Sequence, residues 1–197
     1  MARRWTCAAS GAIMVSGVIL MVVLITGASH TGKTALAARL TRERGVPFLS
    51  VDHLKMGLIR AGYTDLTPED DAELTGYLWP VVREMMKTAI ENGQDLAVEG
   101  CYVPFDWRRD FGAEYLAHIR FVCLALSEGY IDAHFDDIKA HSRDAEARLD
   151  DGWLTPERLK EDNRLAAEGF AAAGERVETI TGDYGRAIAE ILARLVE

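Results

Sequence analysis

Residues 27–34 read Gly-Ala-Ser-His-Thr-Gly-Lys-Thr, two glycines bracketing four variable positions and followed by a lysine and a hydroxyl residue. That spacing suits a polyphosphate. Gly27 and Gly32 let the backbone bend so that the N–H groups of Ala28, Ser29, His30 and Thr31 converge on phosphate oxygens. Lys33 adds a point charge at the terminal phosphates, and the Thr34 hydroxyl is a ligand for the Mg²⁺ that accompanies a nucleoside triphosphate. A helix opening at this point adds its positive dipole end. At about 7% glycine, chance produces the pattern in under about one chain in a hundred of this size. The chemistry indicated is binding of ATP with Mg²⁺.

Two carboxylates stand where a parallel sheet would present them to such a ligand, at the carboxyl ends of hydrophobic segments. Asp52 follows the run 48–51 and can accept or orient the proton of a hydroxyl attacking the γ-phosphorus. It is equally a good cap for a helix over 53–60, and the two roles are compatible. Glu99 ends the run 96–98, the place of an acid that holds Mg²⁺ directly or through water. Binding the acceptor, or simple solvation at a strand end, are its rival roles. Tyr63, Cys101, Tyr102, Trp107, Arg108 and Arg109 follow strand tips and are candidates for an acceptor pocket. Arg60 is a candidate for meeting an anionic group on that acceptor. His134 and His141 are seven residues apart and lack a third ligand, so no histidine metal site is expected.

These residues need strands that end together. Residues 22–26 form an uninterrupted β-branched and apolar run, as in a strand buried on both faces. Residues 33–44 place Leu36 and Leu40 on one helical face and stop at Gly45 and Pro47. Residues 48–51 read as a second strand and 53–60 as a helix ending at Gly62. Thr67-Pro68-Glu69-Asp70 offers a cap, a first-turn proline and acids at the positive helix end. The helix it opens puts Leu74, Leu78, Val81, Met85 and Ala89 in register and stops at Asn92-Gly93. Strands follow at 96–98, 119–126 and 177–181, with helices at 130–140, 155–173 and 187–196. Strands alternating with helices imply an α/β domain, a five-stranded parallel sheet covered by helices on both faces.

In this strand–loop–helix context, Gly27 to Thr34 resembles the P-loop small-molecule and nucleotide kinases. That group includes adenylate kinase, shikimate kinase, chloramphenicol phosphotransferase and 2-phosphoglycerate kinase-like proteins, and the resemblance runs from Met21 onward. It implies a three-layer fold of strand order 2-3-1-4-5 with a small lid after the fourth strand. It further implies ATP, Mg²⁺ and transfer of the γ-phosphoryl group to a hydroxyl of a small metabolite, itself phosphorylated or not. Several hydroxyl kinases of the group carry an aspartate in the place of Asp52. The segment 141–152, HSRDAEARLDDG, stands where these kinases close a lid, and Arg143 and Arg148 would then face the transferring group. A solvated charged helix is the plain alternative. Asp183-Tyr184 stands where the group meets the adenine edge. One departure matters: adenylate kinase carries Asp-Gly-Phe-Pro-Arg after its third strand, whereas here Glu99-Gly100-Cys101-Tyr102-Val103-Pro104 has no arginine. A nucleoside or nucleoside monophosphate kinase is the second reading. A regulatory or toxin-like P-loop protein with little turnover is the third.

The 197 residues, 49% hydrophobic and 27% charged, suit one soluble domain. A net charge of −9 argues against a nucleic-acid partner. Cys7, Cys101 and Cys123 show no CxxC spacing, and free thiols fit a reducing cytosol. Arg3 and Arg4 before the apolar run 11–25 imitate a signal peptide. The end of that run is the strand carrying the phosphate loop, and the run is shorter than the roughly 18–20 residues of a membrane span. Residues 1–20 therefore read as a dispensable extension, with Met14 or Met21 as a plausible start, and 21–197 as the kinase domain. The expected partners are ATP and a small acceptor, in the cytoplasm, with no stable membrane partner.

Overall fold

A computed structural model describes residues 21–145 and 154–195, with side chains from 142 to 145 excepted. The extension 1–20 and most of the expected lid lie outside the described residues. Five strands, β1 (Val22–Gly27), β2 (Phe48–Ser50), β3 (Leu96–Glu99), β4 (Ile119–Leu126) and β5 (Val177–Ile180), form the sheet. All pairings are parallel, in the order β2-β3-β1-β4-β5, as the resemblance implied. The helices are α1 (Lys33–Arg44), α2 (Val51–Arg60), α3 (Asp71–Glu91), α4 (Ala113–Leu116), α5 (Glu128–Ala145), α6 (Pro156–Ala172) and α7 (Tyr184–Leu195).

Every residue of β1 is buried because it is the central strand, with alternate side chains entering opposite layers. Val23 and Ile25 pack with Leu36 and Leu40 of α1, Ile131 of α5 and Ile188 of α7. Val22 and Leu24 pack with Leu74, Leu78 and Met86 of α3 and Phe170 of α6. Each such fully buried side chain contributes about 1.5–3 kcal/mol. The two layers fix the ends of β1 and β3 side by side, Ile25 opposite Glu99, and so position the site.

Three boundaries differ from the sequence reading. β2 ends at Ser50, the extended N-cap of α2, so Asp52 lies in the first turn of a helix and not at a strand tip. A carboxylate there is favoured by the helix dipole. Thr67 does not cap α3. Its N–H and hydroxyl both donate to Asp70 Oδ2, at 2.7 and 2.9 Å, and Asp70 is the N-cap. The buried face of α3 carries Trp79, Val82 and Met86, leaving Val81 and Met85 exposed. The Trp79 indole explains the rotation, since its Nε1 donates to Asp110 Oδ2 at 2.7 Å. α6 is capped as its sequence suggests, with the Arg158 N–H donating to Thr155 Oγ1 at 3.2 Å. α5 is longer than its apolar pattern and is kinked at His134. No helix among the described residues is long and apolar enough to cross a membrane.

Candidate active site

The loop between β1 and α1 depends on two glycines. Gly27 has φ 130°, and a Cβ there would sit 2.0 Å from the Leu124 carbonyl oxygen. Gly32 has φ 84°, and a Cβ there would meet the Tyr184 hydroxyl at 1.6 Å. His30 is left-handed as well, at φ 65°. The Thr31 hydroxyl donates to the Ala28 carbonyl at 3.0 Å, bracing the turn from inside. Gly32 caps α1 without a side-chain acceptor, so the first-turn N–H groups keep their capacity for an anion. Lys33 is buried, and its Nζ donates to the Ala28 carbonyl at 2.7 Å.

Glu99 is 1% exposed at the end of β3. Its Oε2 accepts from the Thr34 hydroxyl at 3.2 Å, while its Oε1 is buried with no hydrogen-bond partner. Burial pushes this carboxyl above its ordinary range, opposed by the neighbouring Ser50 hydroxyl and the Lys33 charge, while the Asp52 charge adds to the rise. A carboxylate oxygen held in reserve beside a threonine hydroxyl is an oxygen donor set for a hard cation. Mg²⁺ commonly takes one or two protein oxygens and keeps waters, so these residues fit it. No denser group of metal-binding side chains occurs among the described residues.

Asp52 does not stand alone. Its Oδ1 pairs with Lys55 Nζ at 2.8 Å, one turn along α2. Lys55 also donates to the Tyr102 hydroxyl at 2.7 Å, and that hydroxyl donates to Asp71 Oδ1 at 3.1 Å. Burial and the Asp52 and Asp71 charges push the Tyr102 phenol far up, so it stays a proton donor. The sequence reading passed over Lys55 and Asp71. The i,i+3 spacing of Asp52 and Lys55 was an available sign, whereas nothing local joins Asp71 to Tyr102.

Two cavities meet at this centre, with Cys101 lining both. One, of about 880 Å³, contains Lys33, Thr34, Asp52 and Glu99, and extends between α1 and the rings of Tyr130 and Tyr184. The other, of about 790 Å³, runs from Gly27–Ser29 toward Asp71, Phe105 and Arg158. The Ser29 hydroxyl and Cys101 thiol, 3.8 Å apart, stand on the rim shared by the two.

Several expected residues are elsewhere. Arg108 is paired with Glu175 and lies over the Trp107 ring at 4.8 Å, engaged where α6 turns into β5 and away from the loop. Arg109 pairs with Asp106, Trp107 is core, and Tyr63 is exposed. Arg60 is exposed in the last turn of α2 and lines neither cavity. Asp183 accepts from the Arg186 N–H at 2.8 Å and so caps α7, leaving Tyr184 as the member of that loop that faces the cavity. Arg143 falls in the last turn of α5 with its side chain outside the described residues, and Arg148 is wholly outside them.

No protein-family model matches the chain, and no curated protein does. Solved structures do share its architecture. Deoxyadenosine kinase from M. mycoides with bound dATP overlays with a TM-score of 0.53 at 13% identity, over 90% of this chain and 100% of that one. Gluconokinase from Sinorhizobium meliloti 1021 gives 0.50 at 15%, over 90% and 94%. Shikimate kinase from Aquifex aeolicus vf5 gives 0.50 at 15%, over 89% and 96%. The fold is that of the P-loop small-molecule and nucleotide kinases.

Proposed function

We propose that the protein is an ATP-dependent phosphotransferase that moves the γ-phosphoryl group to a hydroxyl of a small molecule. The observation that carries the reading is a phosphate loop bordered by two cavities, with Gly27–Ser29 lining one and Lys33, Thr34, Glu99 and Asp52 lining the other. A simple nucleotide-binding module needs one cavity; a transferase needs one on each side of the phosphoryl group.

The loop N–H groups and Lys33 would hold the phosphates, exchanging the Ala28 carbonyl for charge-assisted bonds to phosphate oxygens. Thr34 and Glu99 would hold Mg²⁺, which when bound neutralises the phosphate oxygens. Asp52 accepts the acceptor's hydroxyl proton as the new O–P bond forms and the bond to ADP breaks. Lys55 orients Asp52 and balances its charge. The rings of Tyr130 and Tyr184 flank the cavity at the place for a nucleobase. Cys101 and Cys123 are free thiols, which suits a cytoplasmic protein.

The test is ADP release measured against a panel of hydroxyl compounds, with Asp52→Asn beside the wild type. Asparagine keeps the shape but cannot accept the proton, so turnover should fall by about 10²-fold or more with ATP affinity kept. ADP release that ignores every acceptor would refute the transferase reading, and acceptor-dependent release that survives Asp52→Asn would reduce Asp52 to a helix-start carboxylate.

A further inference from the structure

We propose that the acceptor is an alcohol with an apolar body and no anionic group, its body bound in the cavity of about 790 Å³ on the α3–α6 side of the phosphate loop and its reacting hydroxyl directed past Cys101 toward Asp52 in the other cavity. This rests on the phosphotransferase reading and specifies its second substrate.

The charge on the cavity wall carries the argument. Among the described residues, Asp71, Asp106, Asp162 and Arg158 are the charged residues that line it, and no lysine does. Arg158 Nε already bonds both carboxylate oxygens of Asp162, at 3.0 and 3.1 Å. Just outside, Lys55 is committed to Asp52 and to the Tyr102 hydroxyl. An entering carboxylate or phosphate would meet a single arginine already paired with Asp162, and with it the like charges of Asp71 and Asp106. Arg60 and Arg108, the residues that could have served an anion, are exposed or committed elsewhere.

The other linings state what does fit. Asp71 is acceptor-only when ionised, and with Oδ1 taken by Tyr102 it can receive a donor from the ligand on its other oxygen. Phe105, 48% exposed, stands edge-on to Phe170 at 4.9 Å and offers a face to an apolar body.

The experiment uses the full chain and size-matched alcohols in three classes: uncharged, ammonium-bearing, and carboxylate- or phosphate-bearing. ADP release gives kcat/KM, and saturation-transfer NMR with a non-hydrolysable ATP analogue reads binding of the same compounds without turnover. Uncharged or ammonium compounds should exceed their anionic counterparts by about 100-fold or more, the scale of a like-charge clash. Asp162→Asn, which frees Arg158, should narrow that ratio about tenfold. Anionic compounds preferred in either readout, or no compound of any class bound, would overturn the proposal. Binding of uncharged alcohols without ADP release would leave the charge preference standing and sink the transferase reading instead.

Discussion

Replacing Glu99 by glutamine should make the ligand-free protein more stable and the enzyme worse. Glu99 is 1% exposed, has one hydrogen bond from Thr34 at 3.2 Å, and buries Oε1 without a partner. An unsatisfied buried polar group costs about 1–3 kcal/mol, and more when charged. Glutamine keeps the Thr34 bond and removes the charge but leaves an amide donor unpaired, so the net gain is about 1–2 kcal/mol. For a chain of this size each kcal/mol moves Tm by about 2–4 °C. The gain must also depend on pH. Burial raises the folded pKa of Glu99 above its ordinary 4.5, so the native state binds more protons than the unfolded chain between those two values. Wild-type stability therefore falls as pH rises through that window, and the glutamine variant escapes the fall. The advantage should vanish below pH 4.5 and grow as pH rises above it. With Mg²⁺ and ATP the order should invert, since a ligand at 100 times its Kd adds about 2.7 kcal/mol to whichever protein binds it. The assay is thermal unfolding from pH 4 to 8 with and without Mg²⁺ and ATP, alongside turnover. A variant less stable than wild type at pH 7.5, or a difference that ignores pH, would refute the reasoning.

Lys33→Ala should abolish turnover while circular dichroism and Tm stay close to wild type, since the lysine's only described hydrogen bond is to the Ala28 carbonyl; a folded variant with normal turnover would refute the phosphate-loop assignment. Lys55→Met should cost about 1–3 kcal/mol, between the values for exposed and buried ion pairs, because the partners are 12% and 20% exposed. It should also lower kcat more than it raises the ATP KM, with Lys55→Arg restoring stability better than rate. Arg143→Ala or Arg148→Ala should reduce kcat more than it raises the ATP KM, with poor rescue by lysine. Hydrogen exchange over 141–152 should slow when ATP and acceptor are both bound; full kcat in both variants with unchanged exchange would leave that stretch as a solvated helix.

What the sequence disclosed follows the range of the forces involved. The phosphate loop was legible because its chemistry is local: Gly27, Gly32, Lys33 and Thr34 act through backbone and side chains within one turn. The strands were legible because β1 and β4 are apolar along nearly their whole length. Strand order was not contained in any spacing and entered only through the resemblance. Arg108 failed as an acceptor residue because Glu175, its partner, lies 67 positions away. Val81 was misplaced for a related reason. Leu74, Leu78, Val82 and Met86 keep strict fourfold spacing, and the contact of Trp79 with Asp110 selects that face over its neighbour. Asp183 was read from its place in a loop, yet its carboxylate is satisfied by the helix that begins one residue later.

Most of the groups that fold stability alone would not select gather at one point, the buried Trp107 indole N–H being an exception in the core. Glu99 keeps a buried oxygen in reserve, Thr26 keeps a buried hydroxyl, and Gly27 and His30 hold left-handed backbone. Natural sequences tolerate such local conflicts chiefly where function requires them. Thr26 closes β1, Glu99 closes the adjacent β3, and the phosphate loop leaves from Gly27 between the two cavities. Glu99 and Lys33 line the cavity of about 880 Å³, and Thr26 lines that of about 790 Å³. Along α2, the chain from Asp52 through Lys55 and Tyr102 to Asp71 runs from the first cavity to the second. A ligand that engages Asp71 therefore acts on the tyrosine and lysine that hold Asp52. Under the proposed function, acceptor binding and alignment of Asp52 would be one event, a physical reason for ADP release to wait for the acceptor.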